Sequence, residues 1–164
     1  IISIEAVINI IQKSTEVHRK VLELSEEKTE YIKTGDMDQL SKLLMKERKY
    51  VQEMEQIEKE REKIVDQTFR DLNITNEEKT VTVLLDHVKR DDEKRKLEEV
   101  VTELLQVIIE LRRNEKLNRD LIEQSMQFVQ LSLDMLQPSE RNINYHKDDK
   151  NRQRTNRSVF DSKA

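Results

Sequence analysis

The scarcity of glycine and proline constrains this chain more than any other feature. Its 164 residues contain one Gly and one Pro, whereas Gly alone makes up about 7% of ordinary chains. Because tight turns depend largely on these two residue types, the chain must run in long segments with few reversals. Charged residues make up 39% and aromatic residues 4% of the chain, and apolar residues recur at three- and four-residue spacing. This combination predicts an all-α fold, an antiparallel, coiled-coil-like helical bundle.

The composition also excludes several kinds of site. The chain has no Cys, so disulfides and thiolate zinc sites are excluded. Apolar runs stay well short of the roughly 18 residues that a membrane span needs, so we expect no membrane insertion. The first five residues, Ile1 to Glu5, lack the basic region of a signal peptide. They also lack an initiator Met, so the numbering could start inside the natural chain.

Charge is distributed unevenly along the chain, whose net charge is −4. Residues 138–164 carry seven Lys or Arg and four Asp or Glu, which leaves a surplus of seven acidic charges on the rest of the chain. An acidic body disfavours nucleic acid as a partner. The basic tail could contact an acidic partner, or it could simply keep the end of the chain solvated.

Hydrophobic periodicity predicts three long helices and one short one. The long helices are expected at about residues 3–33, 37–72 and 92–136, and the short helix at about residues 76–89. Residues 1–137 would then form the bundle, and residues 138–164 a flexible basic tail, because they hold too few apolar groups to fold alone.

Capping residues support these boundaries. Ser3 is a suitable N-cap for the first helix, and Gly35 followed by Asp36 suits a helix end and the next N-cap. Thr75 and Glu78 have the spacing of a capping box before the short helix. Asp91 and the Asp that follows it allow either a new N-cap or a kink, and both readings stay open.

The two longest helices each show a seam of apolar residues with polar interruptions, which in coiled coils help to fix the register. In the second helix the seam is Met37, Leu40, Leu44, Glu47, Val51, Met54, Glu58, Arg61, Val65, Thr68 and Leu72, widened by Leu43, Tyr50, Ile57 and Ile64. In the last helix it is Leu97, Val101, Leu104, Ile108, Leu111, Glu115, Asn118, Ile122, Ser125, Val129, Ser132 and Leu136, with Asn114 at its edge.

Catalytic and metal-binding patterns are missing from the sequence. His18, His87 and His146 lie on three different segments, and no two have the spacing that places two ligands on one helix face. Neighbouring acidic residues such as Asp148 and Asp149 do not converge as a catalytic pair must. A phosphate-binding loop needs several glycines. We therefore expect neither an enzyme nor a resident cofactor or metal.

The end of the last helix has more apolar surface than a bundle requires. On a helical wheel, the seam side continues through Ile122, Met126, Val129, Leu133 and Leu136, while Phe128, Leu131 and Met135 fall on roughly the opposite side. Such a surplus usually marks an interaction site, although a helix packed between two neighbours or a homodimer seam would also use it. In the tail, Val159 and Phe160 form a second candidate contact that could become ordered on binding.

Three stretches of the chain resemble the FlgN family of flagellar type III export chaperones. The first is the helix break and restart over residues 33–40, followed by Leu43, Leu44 and Glu47. The second is residues 111–122, which contain the pair of asparagines Asn114 and Asn118 followed by apolar residues. The third is residues 159–164, similar to the end of Bacillus-type members.

The resemblance implies a cytoplasmic chaperone that keeps hook–filament junction proteins, the hook-associated proteins, soluble and brings them to the export apparatus without ATP hydrolysis. It also implies that substrates bind the C-terminal region, where Phe128, Leu131, Met135, Val159 and Phe160 lie. The residues by themselves leave one alternative open, a structural coiled-coil protein that self-associates through the surplus apolar side. A nucleic-acid-binding helical arm is disfavoured by the acidic body.

Overall fold

The computed structural model describes residues 4–136 and confirms the predicted all-α bundle. Four helices follow one another: α1 Ile4–Thr34, α2 Met37–Asp71, α3 Val81–His87 and α4 Asp91–Leu136. The Ser3 cap and the tail of residues 138–164 lie outside the described residues. By their contacts the residues form two compact units that divide after Leu121. The first unit, which ends at Leu121, contains α1, α2, α3 and most of α4.

A tight turn joins α1 to α2 as predicted. Gly35 adopts a left-handed conformation with φ of 71°, which costs glycine little because it has no Cβ. Asp36 then caps α2, since its side chain accepts a hydrogen bond of 3.2 Å from the backbone nitrogen of Gln39. After this turn α2 runs back along α1, and Lys13 reaches Glu60 across the pair at 3.4 Å.

Helix α4 runs in the same direction as α1. Arg19 of α1 pairs with Glu103 of α4, and further along both helices Lys28 pairs with Glu115. Residue numbers therefore rise together in the two helices, as they must when three helices run up, down and up. Helix α2 is therefore antiparallel to both α1 and α4.

The apolar core occupies one end of this unit. Isoleucine and valine side chains from the first half of α1 meet Phe69, Leu84 and Leu97, all at most 2% exposed, from the other three helices. Fully burying such a side chain stabilises the fold by about 1.5–3 kcal/mol. The short helix α3 contributes one fully buried side chain, Leu84, and its Val83 and Leu85 are partly buried against the same core.

The other end of the unit is joined by polar side chains. Asn118, 1% exposed, donates hydrogen bonds to the backbone oxygen of Ser25 at 2.9 Å and to its hydroxyl at 3.2 Å. Thr29 donates to the Asn118 side-chain oxygen, and Asn114 donates to the hydroxyls of Ser25 and Thr29. Because the hydrogen bonds form only in this alignment, they fix α4 lengthwise against α1, in the role expected of polar seam residues.

Lys28 ties three helices together beside these amides. Lys28 is 6% exposed. Its Nζ lies 2.6 Å from Oε2 of Glu47 on α2 and 3.1 Å from Oε1 of Glu115 on α4. Glu115 accepts a hydrogen bond from the ammonium group. Glu47 Oε2 has no hydrogen-bond partner despite its short distance to Lys28, so we treat this second contact as ionic. Two carboxylates thus flank this buried cation and offset part of the cost of taking it out of water.

The capping-box prediction at Thr75 and Glu78 was wrong. Asn76 has φ of 63°, a left-handed conformation that cannot begin a helical turn. The helix starts instead at Val81, where the extended residue Thr80 accepts a hydrogen bond of 3.2 Å from the Val83 backbone nitrogen. The helix expected at 76–89 therefore spans Val81–His87. A new helix, not a kink, begins at Asp91.

The predicted seam of α2 is correct in part, because Thr68 is buried and Met54 and Val65 pack against the core, but other positions are rotated away from the covered face. Leu43 and Ile57, which had been assigned only to its edge, are 3% exposed. Met37, Leu44 and Val51, which had been assigned to its centre, are 67%, 42% and 39% exposed. The two faces are adjacent, because one residue corresponds to about 100° on a helix. The face that α1 covers is the one with Leu43 and Ile57.

Candidate partner-binding site

The second unit contains the end of α4, residues 122–136, and this segment is rich in exposed apolar side chains. Seven are at least 43% exposed: Met126 43%, Phe128 70%, Val129 55%, Leu131 60%, Leu133 53%, Met135 75% and Leu136 77%. We call these seven residues the apolar segment. Monomeric proteins rarely expose so many large apolar residues together without a function for them.

Both sides of this helical segment are exposed. Phe128, Leu131 and Met135 follow one another at three- and four-residue spacing, so they form one continuous side. The expectation that Val129 and Leu136 continue the buried seam was wrong, because they are 55% and 77% exposed. The helix thus offers apolar contacts around most of its circumference.

The end of α4, residues 122–136, carries little charge. Glu123 and Asp134 are its ionisable residues, and Gln and Ser supply the other polar positions. Its chemistry is therefore that of non-directional apolar contact, with Leu and Met side chains that adapt to irregular surfaces. A helix of this kind suits a partner that itself presents an apolar stripe.

The structure brings three of the five candidate contact residues together. Phe128, Leu131 and Met135 lie on one side of one helix, all exposed. The other two, Val159 and Phe160, lie outside the described residues. That these five residues bind a partner stays a prediction.

Sequence reasoning missed one site in the first unit, the buried cation Lys28. A signal for it was present, because Glu47 and Glu115 both occupy predicted seam positions, and buried carboxylates call for a cation nearby. Lys28 lies on the inner part of α1 between Ser25 and Thr29, both buried.

The described residues, 4–136, show neither a metal-binding cluster nor a membrane-spanning helix. Within this range, no group of three or more His, Asp or Glu side chains is arranged to hold a metal ion. His18 and His87 each contact a backbone oxygen one helical turn earlier, at 2.7 and 2.9 Å. None of the described helices is both long and apolar enough to cross a membrane.

Comparison with known proteins decides the family. The family model described as FlgN protein matches residues 3–153. The chain belongs to the FlgN family. Members of the FlgN family are flagellar export chaperones, are cytoplasmic in general and are not known as enzymes.

A relative in Bacillus subtilis (strain 168) extends this match over the full length. The protein, described as "Uncharacterized protein YvyG", is 35% identical over 164 residues, which cover 99% of each chain. Its description assigns no activity. No solved structure matches the FlgN-family chain described here.

Proposed function

We propose that this FlgN-family chain is a cytoplasmic chaperone for hook-associated proteins, the proteins of the hook–filament junction. It keeps them soluble before export and delivers them to the flagellar type III export apparatus. One observation carries the proposal: the apolar segment of α4, whose seven large side chains are at least 43% exposed. Family membership supplies the general role in flagellar export.

The proposed mechanism is apolar helix pairing. An amphipathic helix of the substrate lies along Phe128, Leu131 and Met135 and removes their surface from water. Burying apolar area gains roughly 25 cal/mol per Å², and part of that gain offsets the loss of translational freedom on association. The substrate's own apolar helix is covered at the same time, so it no longer aggregates.

Val159 and Phe160 are proposed as a second contact. An aromatic side chain at the end of a polar stretch can anchor a segment that becomes ordered only on binding. Truncation after Gln137 tests this proposal directly. The truncated chain should bind a hook-associated protein more weakly than the full chain, and equal affinity would remove the tail from the site.

The main experiment mixes the purified chain with a hook-associated protein and measures the mass of the complex by gel filtration with light scattering. Met135→Asp should weaken binding at least about tenfold, because a carboxylate would have to be desolvated in an apolar contact. Met45→Asp is the matched control, since Met45 on α2 is 69% exposed against 75% for Met135. If both variants bind equally well, the apolar segment is not the substrate site.

Leu131→Asp separates binding from folding. The variant should bind the hook-associated protein weakly and keep the helicity of the original chain by circular dichroism, since Leu131 is 60% exposed. Loss of helicity would assign this side of α4 to the core.

Self-association through the apolar segment is the alternative. A structural coiled-coil protein would form dimers or larger species without substrate, and Met135→Asp would dissociate them. Sedimentation of the chain alone and with a hook-associated protein distinguishes this result from substrate binding.

A further inference from the structure

A stripe of exposed apolar and basic residues follows the middle of α4. Leu105 and Ile109 are 53% and 55% exposed, and Arg112, Lys116 and Arg119 are also exposed. Their alternating spacing of four and three residues places all five on one face. We call these residues the α4 stripe.

This stripe lies on the side of α4 opposite α1. Asn114 and Asn118 hold α4 to α1 through Ser25 and Thr29, and they occupy the other half of the helical wheel. The stripe also belongs to the first unit and precedes the apolar segment in the chain.

A similar stripe follows the start of α2. Met37, Leu44 and Val51 are between 39% and 67% exposed, and Arg48 between them is exposed too. They share one face at spacings of seven, four and three residues. We call these residues the α2 stripe, and it is turned away from the buried face of Leu43 and Ile57.

Lys28 places Arg48 of the α2 stripe and Lys116 of the α4 stripe at the same level and on the same side. Its Nζ contacts Glu47 and Glu115, which immediately precede Arg48 and Lys116. Two antiparallel helices are related by a twofold axis perpendicular to their common plane. Arg48 and Lys116 each follow their carboxylate by one residue, which is a rotation of about 100° about the helix axis. Because the twofold axis relates the two rotations, both side chains lie on the same side of the α2–α4 pair.

The cations of these stripes lack carboxylate partners. Among residues 4–136, Arg48, Arg112, Lys116 and Arg119 form no ion pair with any acidic side chain, whereas Glu47 and Glu115 are both engaged by Lys28. Such a cluster of unpaired cations stands out in a chain whose net charge is −4.

We propose that the α2 and α4 stripes form a docking surface for an acidic amphipathic helix of a partner protein. The aliphatic residues Leu44, Val51, Leu105 and Ile109 contact the apolar side of that helix. Arg112, Lys116 and Arg119, one helical turn apart, pair with carboxylates along its edge, since charge complementarity selects and steers a partner. The surface is separate from the apolar segment, so one chain has two places to bind.

Aliphatic residues between the cations favour a protein over other acidic partners. Nucleic acids are bound through phosphate contacts and stacking on aromatic rings, and neither stripe contains an aromatic residue. Helices that lie on membranes place their basic residues on one face and their apolar residues on the other, whereas each stripe carries both kinds on the same face. Two antiparallel stripes facing one way instead leave a trough that fits a third helix.

The test measures peptide binding to the full chain by isothermal titration calorimetry. The probe is a helical peptide of about 20 residues with Leu on one face and Glu on the others, and its control has Lys in place of every Glu. The Glu peptide should bind, and the Lys peptide should not. The substitutions Arg112→Gln, Lys116→Gln and Arg119→Gln together should weaken binding about tenfold, since three exposed ion pairs are lost.

A matched variant removes the same charge elsewhere. Lys42→Gln, Lys46→Gln and Lys49→Gln together also neutralise three exposed cations of unit 1, but outside the two stripes. This variant should keep most of its affinity. Equal losses in the two triple variants would mean non-specific attraction and would overturn the proposal.

Two further outcomes would also overturn it. One is binding to phosphatidylglycerol vesicles or single-stranded DNA with none to the Glu peptide. The other is failure of the original chain to distinguish the two peptides. Repeating the titrations with Leu131→Asp removes binding of the peptides' Leu face to the apolar segment. The variant should still bind the Glu peptide and not the Lys peptide, so this docking surface and the proposed substrate site can fail independently.

Discussion

The side-chain nitrogen of Asn118 donates a hydrogen bond of 2.9 Å to the backbone oxygen of Ser25. Both residues are at most 1% exposed, so neither group can turn to water instead. Replacing Asn118 by Ala removes this bond and leaves buried polar atoms of Ser25 and Thr29 with fewer partners. We expect the free energy of unfolding to fall by about 2 kcal/mol, measured by urea denaturation. Gln106→Ala, at an exposed position of α4, should change it little, and equal effects would contradict the buried role.

Lys28 should be far more important for stability than an exposed lysine. Lys28→Met leaves the carboxylates of Glu47 and Glu115 close together with no cation between them, which should cost about 3 kcal/mol. The control is Lys13→Met, because Lys13 and its partner Glu60 are each 53% exposed and such pairs contribute under about 1 kcal/mol. Adding Glu47→Leu and Glu115→Leu to Lys28→Met should recover most of the loss. A triple variant as unstable as the single one would argue against the charge explanation.

The pair Glu58 and Arg61 should make stability depend on pH. Hydrogen bonding from Arg61 holds the pKa of Glu58 below its usual value of 4.5. In one of these bonds, Arg61 Nε donates to the Glu58 carboxylate at 2.9 Å. Because the pKa of Glu58 is lower in the folded chain than in the unfolded chain, the pair stabilises the fold at pH values above the unfolded-state pKa. This stabilisation is lost as the pH falls through the folded-state pKa. The difference in unfolding free energy between the original chain and Arg61→Gln should therefore be present at neutral pH and shrink in acid.

NMR titration checks the cause of that pH dependence. The Glu58 carboxyl should titrate closer to its usual value in Arg61→Gln, while Lys63→Gln, at an exposed neighbouring position, should leave it lowered. An unchanged Glu58 titration in Arg61→Gln would rule out this pair as the source.

Gly35 offers a test of the turn between α1 and α2. A Cβ added at this residue would meet no heavy atom within 4 Å, yet φ is +71°. Gly35→Ala should therefore lower the free energy of unfolding by about 1 kcal/mol through backbone strain alone. Gly35→Asn should cost less, because Asn tolerates the left-handed conformation. Thermal unfolding measures both, and an order reversed between Ala and Asn would contradict the turn geometry.

The sequence predicts this fold well where local chemistry decides it. The turn at Gly35 and Asp36 depends on the only glycine in the chain and on a cap that acts within three residues. The end of α2 is different, because the left-handed residue Asn76 displaced the start of α3 to Val81. The local pattern favours a Thr cap at 75, which has Glu78 three positions on, over the cap at Thr80 that the structure uses.

The face of a helix that packs against its neighbours is harder to predict than the residues at which the helix begins and ends. In α2, apolar residues cover two adjacent faces, and only the position of α1 selects the face with Leu43 and Ile57. The exposed residues Phe128, Leu131 and Met135 could be predicted as a contact site because the helix has more apolar surface than a bundle requires. That prediction does not depend on which face a neighbouring helix covers. Lys28 escaped prediction because its two carboxylates come from separate helices, distant in sequence.

The uneven core has a consequence for how the first unit opens. Isoleucines and valines of α1 fill one end, while Ser25, Thr29 and Asn118 join the other end. Opening an apolar contact exposes area to water, whereas opening a polar one exchanges hydrogen bonds with the protein for hydrogen bonds with water at little net cost. We therefore expect backbone amides near Ser25 and Asn118 to exchange with deuterium sooner than those near Val7 and Leu97. Local unfolding would begin at the end where the turn joins α1 to α2, well before the whole bundle unfolds.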